Sequence, residues 1–480
     1  MKVIKNYLYN AGYQILLMLA PVITTPYVSR VLGANNNGIN TYTNGWVTFF
    51  YLAGQLGISL YGNREIAYQR GDKYNRSKTF WGIMSLQIFT SSIALIIYLL
   101  AVLLFSSAFK VYFLLQALWI VAYGIDVSWY FMGMEDFKKT VSRNTIVKLI
   151  TIALIFIMVR NQGDLAKYIF LLGFAQLAGS LTLWPYLRQN IQWVKIKEWH
   201  PLKHFYPALL LFIPTITTQI YLVVNRIMLG RMAPQAAVSQ FNFGDNIVKL
   251  VLAIVTATGT VMLPHIANKF ASGDVKGVRD SLYKSFDFVT AVSVPMMFGL
   301  MAIAYKFAPW FLGHEYEPTG GVIFLEAPAI LMIAWSNVTG TQYLMPIHRE
   351  HEFTISVTVG AVVNIITNLF LISRYGANGA AVATVISEFS VTAVQLWYIQ
   401  GTIRRRRLFA PIWRYILSGF FMYLVVSRID NIMNMTIANL ILQVALGALI
   451  YIICIIVLRA PIVNQVKKIL KERRTDGREN

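Results

Sequence analysis

The sequence predicts an all-α polytopic membrane protein of about fourteen transmembrane helices, arranged as two pseudo-symmetric six-helix lobes plus two C-terminal helices. Three observations carry this expectation. Of 480 residues, 56% are hydrophobic and only 13% charged, with a mean hydropathy of +0.55, whereas a soluble domain carries roughly 25% charged residues. Residues 6–29, 38–62, 79–109, 168–187, 205–225, 288–305, 353–373 and 431–458 contain no Asp, Glu, Lys or Arg. The apolar runs are continuous rather than alternating, which argues against a β-barrel.

A helix needs about 20 apolar residues to cross about 30 Å of hydrocarbon. In chain order this predicts spans 1 to 6 at 6–29, 38–62, 79–109, 110–132, 142–160 and 168–187. Spans 7 to 12 follow at 205–225, 236–264, 288–305, 320–346, 353–373 and 377–400, and spans 13 and 14 at 412–428 and 431–458. Lys2 and Lys5 precede a stretch too long for the apolar part of a secretory signal and without a small-x-small cleavage site, so it reads as span 1. Cys454, the single cysteine, lies in span 14, which excludes an intrachain disulfide or a zinc–cysteine cluster. His348 and His351 sit three apart beside Arg349 and read as a solvated turn; no metal site or cofactor is expected.

The net charge of +21 is unevenly placed. If the spans alternate, 31 of the 42 Lys and Arg fall in segments on one side, 8 on the other and 3 within spans. That bias makes the basic side cytoplasmic, with both termini there, in a bacterial inner membrane. The Arg404–Arg407 run and the basic tail then hold loops at an anionic leaflet. No aromatic-interleaved basic patch points to nucleic acid.

The halves echo each other. Pro21, Ile23-Thr24-Thr25 and Arg30-Val31-Leu32-Gly33 recur as Pro214, Ile216-Thr217-Thr218 and Arg226-Ile227-Met228-Leu229-Gly230. Ile66-Ala67, Gly71-Asp72 and Arg76 recur as Ile266-Ala267, Gly273-Asp274 and Arg279, the offset drifting from 193 to 203. Six spans separate the copies, so the repeats share one topology about an axis along the membrane normal. The expected division is 1–203 (spans 1–6), 204–403 (spans 7–12), 404–458 (spans 13 and 14) and 459–480 as a basic tail. A V-shaped bundle is expected, with spans 1 and 7 bent by Pro21, Pro26, Pro207 and Pro214 and a ligand site between lobes near mid-membrane.

No GxxxxGK[ST] loop, D-x-D pair, GxSxG or paired-carboxylate motif is present, and no extracytoplasmic loop is long enough for a catalytic domain. The expectation is a transporter, not an enzyme, driven by an ion gradient, the membrane potential or its substrate's gradient. Ionisable residues within spans are then the candidates. Arg30 and Arg226 are repeat partners, and Lys249 is near the middle of span 8; together they would attract an anion, phosphate above all. The arginines could instead snorkel to the surface. Asp245, one turn from Lys249, could neutralise it. Asp126 and Lys148 read as an interhelical pair, and Glu326 and Glu388 as single proton or cation sites. Tyr42, Trp46, Trp129, Tyr130, Tyr221 and Phe241 could stack on sugars or fill the bundle.

Several motifs carry a resemblance. PVITTPYVSRVLG at 21–33 resembles the opening of bacterial oligosaccharide flippases, the polysaccharide-export branch of the multidrug/oligosaccharidyl-lipid/polysaccharide (MOP) superfamily. Tyr61-Gly62-x-Arg64-Glu65-Ile66-Ala67, Asp126-x-Ser128-Trp129-Tyr130-Phe131-x-Gly133-x-Glu135-Asp136-Phe137, Ile227-Met228-Leu229-Gly230, Gln342-Tyr343-Leu344-x-Pro346 and Tyr375-Gly376-Ala377-x-Gly379-Ala380-Ala381 continue it through span 12. The resemblance implies a flippase that moves undecaprenyl-pyrophosphate-linked oligosaccharide repeat units for capsule, exopolysaccharide or O-antigen synthesis. It also implies cavity Arg and Lys on the pyrophosphate, alternating access, and polymerase and glycosyltransferase partners. Asn225 stands where many relatives have Asp before the basic residue, which takes away that acid as a coupling group. The alternatives are a multidrug/cation antiporter of the same superfamily and a non-transport scaffold for glycan assembly.

Overall fold

The computed structural model describes residues 2–105 and 108–465; side chains are described from residue 20 onward, except at 137–139, 213–215, 217–218, 220–222, 257–261 and 263–265. Pro214, Tyr221 and the end of the basic tail therefore lie outside the described residues. Among the described residues the chain is all helix, with no strand. It divides into two compact units, Met1–Ser239 and Gln240–Asn480.

In the first unit, α1 (Lys2–Gln55) covers predicted spans 1 and 2. Only Gly33 interrupts it, at φ 76° and ψ 172°, a conformation open to glycine. The break frees carbonyls, and Asn37 Nδ2 donates to those of Gly33 at 2.8 Å and Val28 at 3.1 Å. After a second break comes the short α2 (Ile58–Tyr68), then α3 (Lys73–Phe105). Predicted span 4 is not one rod: α4 (Lys110–Gly124) and α5 (Ser128–Gly133) flank a gap at 125–127. Fully buried Gln87 of α3 closes that gap, its Nε2 donating to the carbonyls of Tyr123 at 2.7 Å and Asp126 at 3.0 Å. Trp184 Nε1 takes the Ile125 carbonyl at 2.9 Å, and Trp129 Nε1 donates to Gln87 Oε1 at 3.0 Å. Then α6 (Phe137–Met158), α7 (Leu165–Leu181), the one-turn α8 (Trp184–Leu187) and α9 (Pro201–Met232) complete the unit. α1 packs on α3, α4, α6 and α9, and α2 on α5.

Several motif residues belong to this framework. Trp129 lies against Gly62, where a β-carbon would stand 2.5 Å from the indole, and Arg70 pairs with Glu135 at 2.8 Å. They are structural parts of the base of the unit.

α10 (Gln235–Ala271) begins in the last residues of the first unit and runs into the second, which centres on α11 (Val275–Leu312). Predicted span 10 is also broken: α12 (Glu317–Glu326) meets α13 (Ala329–Ser336) at a 45° bend, and the chain continues as π-helix over Asn337–Leu344. α14 (Glu350–Tyr398) covers spans 11 and 12 and breaks at Gly376, φ 54°. α15 (Arg405–Phe409), α16 (Ile412–Ile432) and α17 (Ile437–Val457) supply the last two spans. Buried Asp287 of α11 accepts hydrogen bonds from Tyr415 Oη at 2.7 Å and Gln465 Nε2 at 2.8 Å, pinning α16 and the segment that follows α17 to α11. Lys306 Nζ donates to the carbonyls of Asp430, Asn431 and Met433, the end of α16, where a cation offsets the helix dipole.

Replacing Gln87 by Leu tests the gap closure. The variant is expected to insert and express, with unfolding in detergent shifted down by about 1–3 kcal/mol because buried carbonyls lose their donor. An unshifted thermal-unfolding midpoint would show that the gap needs no such donor.

Candidate functional site

Two constellations of polar groups lie within the helices, one in each unit. In the first, Arg226 is half-buried on α9 beside Gly45 of α1, where a β-carbon would come within 3.8 Å of the Arg226 Cβ. Arg226 lies within electrostatic reach of Tyr51, whose hydroxyl is hydrogen-bonded with Thr48 and Tyr123. The Tyr51 ring stacks on Tyr123 with centroids 4.3 Å apart and 20° between planes, and Trp119, one helical turn from Tyr123, continues the stack. All three rings are half-buried. A guanidinium beside partly open, stacked aromatic faces can hold a phosphoryl oxygen and a sugar face at once.

Arg30, its repeat partner, is exposed three residues before the Gly33 break; its Nη1 donates to the Pro26 carbonyl at 3.3 Å. The aromatics singled out from sequence fare differently. Trp129, Tyr130 and Phe241 are buried packing residues. Tyr42 and Trp46 line a separate pocket. The Tyr51–Trp119–Tyr123 stack was not anticipated, because only the packing of α1 on α4 brings Tyr51 to the other two.

In the second unit, Asp245 and Lys249 stand one turn apart on α10, and Lys249 Nζ is 2.7 Å from both carboxylate oxygens. Glu326, 1% exposed at the α12–α13 bend, stands beside Asp245 and within electrostatic reach of Lys249 and Glu388 of α14. Its Oε2 is buried with no hydrogen-bond partner among the described residues. Sequence reading took Glu326 and Glu388 as single acids and grouped Lys249 with the arginines. The structure instead gathers the three acids and one amine on α10, α12 and α14. Among the described residues no three His, Cys, Asp or Glu converge closely enough for a metal ion.

Asp126 does not pair with Lys148 as expected. It sits in the α4–α5 gap, where Oδ1 accepts the Ser128 N–H at 3.2 Å and Oδ2 the Ser128 hydroxyl at 2.5 Å, and the cation it feels is Arg143 of α6. Lys148 is half-buried on the face of α6 that carries buried Thr151 and Ile155, with no hydrogen bond or ion pair among the described residues.

The chain matches the family of polysaccharide biosynthesis proteins over residues 3–270 and the lipid II flippase MurJ family over residues 139–457. A protein named "Putative O-antigen transporter" from Escherichia coli (strain K12) is 24% identical over 403 residues, covering 83% of this chain and 96% of that one. A solved structure of lipid II flippase MurJ, in an inward closed conformation, superposes with a TM-score of 0.75 at 16% identity, over 95% of this chain and 100% of that one. A multidrug resistance MATE family transporter of the MOP superfamily gives 0.59 at 12% identity, over 80% and 94%. Both structural likenesses show the fold. The first family match covers more than half of the sequence, and the chain belongs to the polysaccharide biosynthesis protein family.

The acid cluster makes a prediction. Lys249→Gln alone should lower the unfolding midpoint, by about 1–3 kcal/mol, since Asp245 loses its charged partner. Adding Asp245→Asn should recover most of that loss. Equal stability of the single and double variants would mean that the pair contributes nothing to folding.

Proposed function

We propose, with membership of that family as the premise, that this chain flips undecaprenyl-pyrophosphate-linked oligosaccharide repeat units across the bacterial cytoplasmic membrane for polysaccharide synthesis, by alternating access and with both termini cytoplasmic. The observation that carries the reading is Arg226 beside the half-open Tyr51–Tyr123–Trp119 stack. A pyrophosphate entering hydrocarbon faces a penalty of several kcal/mol unless a cation meets it. A guanidinium meets it with a two-pronged donor, and the adjacent rings accept the apolar face of the first sugar. Arg30 is the second phosphate contact, at the end of its span.

Lys249 enters through its cluster. While both carboxylates near it hold charge, its ammonium is bound to Asp245. Proton uptake by the Asp245–Glu326–Glu388 group weakens that hold and frees the amine for an anion, which would couple a proton to each cycle. The same buried acids favour a second reading, a cation antiporter, in which they bind the cargo itself.

The two readings separate by experiment. Deletion of the chain is expected to abolish the surface polysaccharide and accumulate lipid-linked repeat units on the cytoplasmic face. Arg226→Gln should cut export roughly ten- to a hundredfold, the effect of losing one charged hydrogen bond of about 1.5–3 kcal/mol in the rate-limiting crossing. Arg226→Lys should restore part of it, since charge survives and the fork does not. Arg30→Gln should act in the same direction. Normal surface glycan in both arginine variants, at normal expression, would sink the flippase mechanism, and drug sensitivity following Glu326→Gln would favour the antiporter.

A further inference from the structure

A pocket of about 430 Å³ lies in the first unit, apart from the Arg226 constellation, where the second half of α1, the ends of α3 and α9 and the start of α4 meet. That volume is within the range of small-ligand sites. Its α1 wall is a stripe of Tyr42, Trp46 and Phe50, spaced four residues apart on one helical face. Phe113 of α4 packs edge-on to Tyr42 at 6.0 Å. Gly230 keeps the wall thin: a β-carbon there would stand 2.0 Å from the Tyr42 ring. Exposed Arg231 sits at the rim with its guanidinium 5.5 Å from the Trp46 ring centre.

Three features select the ligand. The mouth opens onto lipid: Phe105, which lines the pocket, is 86% exposed, and Leu100, Leu103 and Leu104 of the same helix face outward beside it. The walls offer little to a sugar, because the Tyr98 hydroxyl already donates to the Phe113 carbonyl at 2.7 Å and the Gln235 amide nitrogen to the Gly230 carbonyl at 3.0 Å. What remains is one guanidinium for an anion, the Tyr42 hydroxyl and Trp46 indole N–H as donors, and Gln235 Oε1, buried without a partner among the described residues, which can accept from one headgroup hydroxyl.

We propose that this pocket binds a single lipid with a phosphoryl headgroup, the phosphate on Arg231 and the first part of the chain among the aromatic rings. The lipid is a membrane phospholipid or an isoprenyl phosphate; both present the same chemistry to the site. The inference rests on the lipid-facing α3 surface and not on the flippase reading, so either can fail alone.

Native mass spectrometry of the full-length protein tests it, after reconstitution in micelles containing equal amounts of phosphatidylglycerol, undecaprenyl phosphate and diacylglycerol. One phosphoryl lipid per chain is expected to survive activation, and which of the two is retained names the source. Arg231→Gln should reduce retention about tenfold, the loss of one charged contact, and Arg231→Lys should recover part. Ala101→Trp fills the pocket from α3 without touching Arg231 and should also abolish retention at an unchanged unfolding midpoint. If that variant unfolds, Arg231→Gln alone decides. Retention of diacylglycerol equal to that of the phosphoryl lipids, or undiminished lipid in Arg231→Gln, would overturn the proposal. Intact polysaccharide export in Arg231→Gln would leave the lipid site standing and separate it from transport.

Discussion

A backbone carbonyl released inside hydrocarbon has no water to turn to and costs several kcal/mol until a donor reaches it. At two places where a helix of this protein breaks, a side chain answers that demand. Asn37 serves the Gly33 break, Gln87 with Trp129 and Trp184 the gap at 125–127. In the π-helical stretch Thr339 donates to Gln395 Oε1 at 2.6 Å, and Gln395 in turn donates to Ser356. Each donor comes from a neighbouring helix or turn, so each break also fixes a packing contact. Two of the acids within predicted spans, Asp126 and Glu326, stand where the regular ladder is interrupted.

The two broken spans make this concrete. Asp126 and Glu326 stand 200 residues apart, inside the 193-to-203 offset of the internal echo, and both occupy a mid-span break. Their fates differ for a local reason. Asp126 accepts the N–H of Ser128, two residues on, and so caps α5. The corresponding position after Glu326 is Pro328, which has no N–H to give. Glu326 therefore cannot cap α13 and turns to Asp245 instead, leaving one oxygen without a partner. One proline separates an acid that caps its own helix from one that joins a cluster of side chains from other helices.

Much of the fold was legible because hydrocarbon thickness dictates run length, and runs of that length without charge are visible in the sequence. The breaks were not legible. Gly33 and Gly376 are glycines among many, and the amide that closes the 125–127 gap comes from Gln87, 36 residues before the carbonyl of Tyr123. Site reading fared in proportion to locality. The Asp245–Lys249 pair, one turn apart, was visible; its capture by Glu326 from another helix was not. Asp126 was expected to meet Lys148 on the next span, but one turn of α6 separates that lysine from Arg143, and it is Arg143 that faces the acid. Tyr51 read as one aromatic among many until α1 was laid against α4.

Permanence of charge distinguishes the two constellations. An arginine guanidinium keeps its proton at any pH a cell reaches, so Arg226 is a fixed attraction for an anion and carries no switch. A group of one amine and three carboxylates carries a net charge that each bound proton would raise by one unit. A transporter that moves a dianion needs both kinds of group. Fixed charge alone would bind the cargo and hold it, since an attraction that does not vary through the cycle stabilises the bound state and the crossing alike. A titratable cluster can strengthen and then relax its pull as protons come and go. On the proposed reading, the fixed cation stands on α9 and the acid cluster on α10, α12 and α14, and the two differ by residue type alone.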